Sequence, residues 1–229
     1  MKQQAPVELG NRPELFWDDF MIDEATATLR QHQPETREIA MLCDAPWEGS
    51  ACNYLCLFRD GPVIRLYYLA SRFLLHDDTD IHAAPVVVCY AESRDDGRSF
   101  VKPDLGLYEY NGSKRNNIIL KIGGYTRTID NFAVFKDTNP DCPLDERYKA
   151  VAENGRVPGT NDEILCYYKS ADGIHFAPGG ELVVGGWFDS LNCAFWDRHS
   201  RQYFLYMRDW AEGYPRRRGQ NMGTKMRGI

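Results

Sequence analysis

The 229-residue sequence has no run of about 18 apolar residues, so no segment reads as a membrane-spanning helix and no membrane partner is expected. Nor does any stretch keep an apolar period of 3.6 through three turns, which argues against long helices. Positive charge is not in excess: 27 basic against 33 acidic residues leave a net charge of −6. That balance argues against nucleic acid as a partner, because phosphate binding draws on Lys and Arg. The cluster Arg216, Arg217, Arg218, Lys225 and Arg227 is the one basic spot, and a surface loop explains it. The five histidines (His32, His76, His82, His175 and His199) stand apart and form no ligand cluster, so no catalytic metal is indicated. Gly123-Gly124 and Gly185-Gly186 lack the following Lys-Ser/Thr of a phosphate loop. No cofactor is expected. The start, Met1 to Pro6, has no apolar signal-like core, which makes a cytoplasmic location the default expectation.

Cysteines are more frequent, at positions 43, 52, 56, 89, 142, 166 and 193. Their number is odd, and Cys52 and Cys56 lack a second pair at zinc-site spacing. Most lie in apolar runs such as Leu55-Cys56-Leu57 and Val88-Cys89-Tyr90, where Cys behaves as a small core residue. Reduced thiols are the expectation.

What the sequence does have is β-structure. Aromatic residues make up 13% of the chain, which is 43% hydrophobic, enough for a sizeable core. Short runs rich in Tyr, Phe, Val and Ile, bounded by Gly, Pro, Asp and Asn, read as strands. Examples are 63–69, 86–91, 132–135, 164–168 and 203–206. The runs also repeat. Asn53-Tyr54-Leu55-Cys56-Leu57-Phe58-Arg59-Asp60 is echoed by Asn131-Phe132-Ala133-Val134-Phe135-Lys136-Asp137 and by Asn192-Cys193-Ala194-Phe195-Trp196-Asp197. A second strand follows each, and after the first two a third strand ends in Ser93-x-Asp95-x-Gly97-x-x-Phe100 or Ser170-x-Asp172-Gly173-x-x-Phe176. In such a turn Gly takes positive φ, the Asp and Ser side chains bond the backbone, and the aromatic fills the space between sheets.

A four-stranded unit recurring every 40–80 or so residues is the signature of a β-propeller. The expected organisation is an N-terminal strand at 14–23, blade one at about 47–110, blade two at about 116–185 and a partial blade three at about 187–229. Asn53, Asn131 and Asn192 are expected at equivalent inner-strand positions, and no further strand is expected after Gly213. A ring of five such blades needs roughly 300 residues, so about two and a half are present, and the expectation is the N-terminal part of a longer protein, with a ring completed by another copy as the alternative.

The turn Ser93-x-Asp95-x-Gly97-x-x-Phe100 resembles the Asp box of sialidases. The stretch Phe188-Asp189-Ser190-x-Asn192-x-Ala194-Phe195-Trp196-Asp197, with Tyr203-x-x-Tyr206-x-Arg208, resembles the five-bladed propeller glycosidases related to glycoside hydrolase families 32 and 43. That resemblance implies hydrolysis of an oligo- or polysaccharide by carboxylates in a central funnel, one from each of the first three blades. By order along the chain it implies Glu48 as base or nucleophile, Asp130 as the group that tunes the acid, and Asp189 as proton donor. A non-catalytic carbohydrate-binding propeller and a sialidase-like enzyme are the competing readings. The latter needs an arginine trio that these residues do not assemble.

Inner strands start at the mouth of a propeller's funnel, so residues at those starts converge on one cavity, as acid/base work on a glycosidic bond requires. Beside the three carboxylates, Asn53, Asn131 and Asn192 stand there. Arg115, Asn116 and Arg208 are candidates for binding sugar hydroxyls, and Trp47 and Trp187 for stacking on sugar faces. The apolar neighbours Trp187, Phe188 and Leu191 are expected to keep Asp189 protonated beside an ionised Asp130. Asp18 and Asp19 read as part of the N-terminal strand.

Overall fold

The computed structural model describes residues 30–75, 81–121, 129–160, 162–208 and 225–228, with isolated positions before residue 30. The expected strand at 14–23, with Asp18 and Asp19, and the basic run at Arg216 to Arg218 lie outside the described residues. Two units divide the chain, Met1–Arg37 and Glu38–Ile229. The first has no regular element among its described residues, and the second carries all the strands.

The fold is all-β; its one helical element among the described residues is a single 3-10 turn at Leu144–Glu146. Strands β1 (Ala51–Asp60), β2 (Val63–Leu75), β3 (Ile81–Ser93) and β4 (Ile118–Lys121) make a first antiparallel sheet in sequence order. A second contains β5 (Ile129–Lys136), β6 (Tyr148–Arg156), β7 (Glu163–Ser170) and β8 (Ala177–Gly186), again in order. The third has β9 (Cys193–Asp197), β10 (Gln202–Met207) and β11 (Lys225–Gly228), with β10 central. Two sheet boundaries differ from expectation. Arg115, Asn116 and Asn117 lead into β4, the outer strand of the first sheet, and do not open the second. The polar tail supplies a strand too, since β11 pairs with β10 through backbone bonds that need no apolar side chains.

The sheets pack in series. Alternate residues of a strand face opposite sides. Tyr67 and Leu69 of β2 and Val88 and Tyr90 of β3 therefore meet Phe132, Val134, Ala150, Ala152 and Tyr168 of the second sheet. Leu66, Tyr68, Ala70, Val87 and Cys89 point the other way, under Met41, Trp47, Phe100, Tyr108 and Tyr110. The second sheet buries its other face, through Val151 and Leu165, on Ala194, Leu205 and Met207 of the third. With both faces covered, β2 and β3 carry continuous apolar runs at 66–70 and 86–91. The opening strands are neighbours, β1 beside β5 and β5 beside β9.

Both Ser-x-Asp turns form as expected. Gly97 and Gly173 have φ of 84° and 78°, and their amides donate to Ser93 Oγ and Ser170 Oγ at 2.8 and 2.9 Å. Asp95 takes the Ser99 amide at 2.9 Å, and Asp172 takes those of Ile174 and His175. Phe176 then makes edge contacts with Tyr67 and Phe132 from the two facing sheets.

The strand register corrects the expected equivalence of the three asparagines. In β1, Tyr54 and Leu55 bulge between the pairs Asn53↔Leu69 and Cys56↔Tyr67. In β5, Asn131 and Phe132 bulge between Asp130↔Glu153 and Ala133↔Val151. Tyr54 and Asn131 also share positive φ, 50° and 58°. Counted from the turn, Tyr54 thus corresponds to Asn131 and Asn53 to Asp130. Asn192 precedes β9 and lies outside it.

Candidate functional site

One end of the second sheet gathers acids from three adjacent strands. Asp130 on β5 and Glu153 on β6 are direct cross-strand partners, so their side chains share a face of the sheet. It is the face of Val151 and Leu165, turned towards the third sheet. Glu163 on β7 is buried and accepts the Phe188 amide, which fixes the start of the segment leading to β9. That segment brings Asp189, whose carboxylate is held by Arg208 Nη1 at 2.8 Å. Arg208 also donates to the Asp189 carbonyl, and its own backbone amide is fixed by Asn192 Oδ1. From the first sheet Tyr54 reaches across, its hydroxyl 3.4 Å from Asp189 Oδ1. A tyrosine at positive φ is strained, a cost commonly held where side chains must be aimed.

Electrostatics divides the cluster. Burial is the main cause that lifts Glu153 from its ordinary 4.5 to about 8, and the charges of Glu163, Asp130 and Asp189 add to it while Arg156 opposes them. Asp130 rises to about 6, again first by burial, with the amide of Asn131 working against the rise. Burial lifts Glu163 as well. Tyr54 is pushed to about 12 by burial and by Asp130 and Asp189, so it remains a hydroxyl donor. Asp189 sits differently: its side chain is 62% exposed and paired with Arg208. The acid raised furthest in the cluster is Glu153, and the sequence pattern did not single it out. Trp187, Phe188 and Leu191 do not enclose the Asp189 carboxyl.

Glu48 stands elsewhere. Its buried carboxylate takes the Tyr68 hydroxyl at 2.5 Å, the Ala45 amide at 2.7 Å and Lys102 Nζ at 2.8 Å. Tyr68 faces away from the second sheet, so the first sheet lies between Glu48 and the core that carries Phe132. Among the described residues no hydrogen bond or ion pair joins Glu48 to Asp130 or Asp189. Trp47 belongs to the same network: its indole donates to Asn117 Oδ1 at 2.7 Å and its ring meets Tyr110 edge-on.

The remaining candidates divide. Asn131 and Asn192 converge, both donating Nδ2 to the Phe188 carbonyl, at 3.2 and 2.8 Å. Asn131 is fully buried and its Oδ1 has no partner; Asn53 Oδ1 is likewise buried and unpartnered. Asn116 is spent on its own turn, bonding Tyr108, Ser113 and Ile118. Arg115 lies exposed beside Asp104. Trp187 is half-buried, next to Phe188.

Three residues here escaped the sequence pattern: Tyr54, Glu153 and Glu163. Glu153 and Glu163 are second- and third-strand residues, invisible to a search of strand entrances. Counting back from the β5–β6 turn would set Glu153 opposite Asn131, and only the bulge at Asn131 and Phe132 brings it opposite Asp130. Among the described residues no group of three or more His, Cys, Asp or Glu is arranged to hold a metal ion, and no helix is long and apolar enough to cross a membrane.

The chain matches no protein-family model, and a search of curated proteins finds no significant match.

Proposed function

We propose that the three sheets belong to a β-propeller of the five-bladed type, and that the protein hydrolyses glycosidic bonds at the carboxyl cluster of Asp130, Glu153, Glu163 and Asp189. The propeller reading is supported by sheets that follow one another in series with adjacent first strands and repeated Ser-x-Asp turns. The catalytic reading rests on one observation above the others. Carboxyls in contrasting settings stand together, Asp130 and Glu153 raised by burial and Asp189 exposed and paired with Arg208. Glycoside hydrolysis needs that pairing: a protonated acid to meet the leaving oxygen and a carboxylate to assist attack at the sugar carbon. Asn131 Oδ1, Tyr54 and Arg208 supply an acceptor and donors for sugar hydroxyls. Glu48 drops out of the catalytic set and serves as the buried anchor of the first sheet.

The test is a screen of aryl glycosides and oligosaccharides, with Asp189→Asn and Asp130→Asn beside the parent protein. Hydrolysis that falls by about 100-fold or more in Asp189→Asn supports the reading. Saturable binding of an oligosaccharide with no turnover of any substrate identifies a carbohydrate-binding protein instead.

A further inference from the structure

Asp130 and Glu153 are not merely near each other; they occupy opposed positions on β5 and β6. Directly opposed residues carry their Cβ atoms about 5 Å apart, and like charges so placed repel. Two more acids act on Glu153, Glu163 on β7 and Asp189 before β9, while the cation Arg156 on its own strand opposes them. Arg208 is engaged by Asp189. Burial thins the water that would screen this repulsion, and one bound proton relieves it. The proton has a preferred seat. Asn131 N–H donates to Asp130 Oδ1 at 2.8 Å and stabilises that carboxylate's charge, whereas no donor to Glu153 is found among the described residues.

We propose, building on the glycosidase reading, that Asp130 and Glu153 hold one proton between them and that Glu153 delivers it to the leaving oxygen. In the step, the Glu153 O–H bond breaks as its proton bonds to the glycosidic oxygen. The bond from the sugar carbon to that oxygen breaks, and its electron pair leaves with the oxygen. A water forms the new bond to the carbon and gives its proton to Asp189, so the protein's proton count is unchanged. A second observation points to a ligand at this place. Asn131, next in the chain to Asp130, is wholly buried with Oδ1 unpartnered, an acceptor suited to a sugar hydroxyl beside the acid.

The experiment has two arms. In the first, Glu153→Gln, a near-isosteric change, is assayed on a methyl glycoside and on the matching dinitrophenyl glycoside, whose leaving group needs no proton. Loss of about 100-fold or more on the methyl glycoside with less than tenfold on the dinitrophenyl one is expected. In the second, carbon-13 NMR follows the Glu153 carboxyl, which should titrate well above the solvent-exposed glutamates and fall towards them in Asp130→Asn. Full activity of Glu153→Gln on both substrates, with Asp189→Asn inactive, overturns the donor role and leaves the glycosidase reading standing. Absence of hydrolysis by the parent protein overturns that reading. A Glu153 carboxyl that titrates with the exposed glutamates overturns the shared proton whatever the activity.

Discussion

Tyr148, on the second sheet, donates its hydroxyl to Asp60 of the first at 2.6 Å. The same relationship recurs one sheet further on, where Tyr203 of β10 donates to Asp137 at 2.6 Å. Each aspartate closes a first strand, and each also binds a cation on the paired second strand, opposite the residue two before the aspartate: Arg65 at 2.7 Å, opposite Phe58, or Lys149 at 2.6 Å, opposite Phe135. The junction between sheets is therefore built twice from one plan, and the plan fails at Asp197. There the corresponding second-strand residue is Phe204, and the carboxylate caps its own turn through His199 and Ser200.

This latch yields a stability prediction. Asp60 is 10% exposed and Asp137 fully buried at the side chain, so each hydroxyl donor meets a charge that water barely reaches. Hydrogen bonds to charged groups contribute about 1.5–3 kcal/mol. Tyr148→Phe and Tyr203→Phe should each lower the unfolding free energy by roughly that amount in urea titrations. A change under about 0.5 kcal/mol in either would show that the junction is held by apolar packing alone.

The two Ser-x-Asp turns differ in what lies against them. A Cβ on Gly173 would stand 2.8 Å from both Arg65 Nη1 and Tyr67 Oη, whereas on Gly97 its nearest neighbour is Ile64 Cδ1 at 3.6 Å. Arg65 is tied to Asp60 and to the Asp172 carbonyl, and Tyr67 is buried and bonded to the Gly173 carbonyl, so neither yields freely. Both positions have positive φ, which glycine adopts freely and which costs an L-residue about 1–2 kcal/mol. Gly173→Ala should show that strain plus the clash, and Gly97→Ala the strain alone. Equal melting temperatures for the two variants would contradict the docking of the second turn on the first sheet.

Most of the fold was legible in the sequence, because short aromatic strands and Ser-x-Asp turns are local signals. The slip lay in the asparagines. From the closing aspartate, Asn53 is seven residues back, Asn131 six and Asn192 five, so similar letters stand at three different registers. A bulge rotates the strand by one position, and letters alone do not show which residue is extra. The site was half legible for a related reason. Asp130 and Asp189 lie at entrances where sheets converge, but Glu153 and Glu163 acquire their meaning only from pairing across β5, β6 and β7. Glu48 is ambiguous in sequence because an acid after a tryptophan looks the same whether it faces a cavity or, as here, a lysine.

Glu48 supplies the converse test. With Lys102 beside it and three donors on its carboxylate, Glu48→Gln should destabilise the protein, by about 3 kcal/mol where breaking a buried pair is uncompensated and less because Asp44 also reaches Lys102. At a temperature where the variant is folded, its turnover should match the parent's. Loss of activity with an unchanged melting temperature would return Glu48 to the catalytic set.

The thiols should react in the order of their exposure. All seven cysteines are free, with Cys43 and Cys193 exposed. Burial pushes Cys56 up to about 11 and Cys89 well above the ordinary range, which withholds the reactive thiolate. An aromatic disulfide reagent should label Cys43 first in the native protein, Cys193 more slowly because burial raises its thiol as well, and all seven after denaturation. Fewer than six after denaturation without reductant would mean that a disulfide forms.

The carboxyl pair also sets how stability depends on pH. Glu153 moves from 4.5 to about 8 on folding, and Asp130 from 3.8 to about 6. An acid whose value is raised by folding binds more protons in the folded state than in the unfolded one over the interval between the two values. Stability must therefore fall as pH rises through that interval. Below about pH 4 both states are protonated at these sites and the pair exerts no pull. From there to pH 6 both residues erode stability, and from pH 6 to 8 Glu153 continues alone. Depressed acids work in the opposite sense, but Asp95, held at about 2, and Asp172, lower still, lose their contribution only in stronger acid. The melting temperature should thus decline between pH 5 and 8, and Glu153→Gln, which carries no titrating group, should flatten the decline and be the more stable protein at pH 8. A parent curve that is level across this range, or a Glu153→Gln curve parallel to it, would show that Glu153 is solvated and charged in the folded protein.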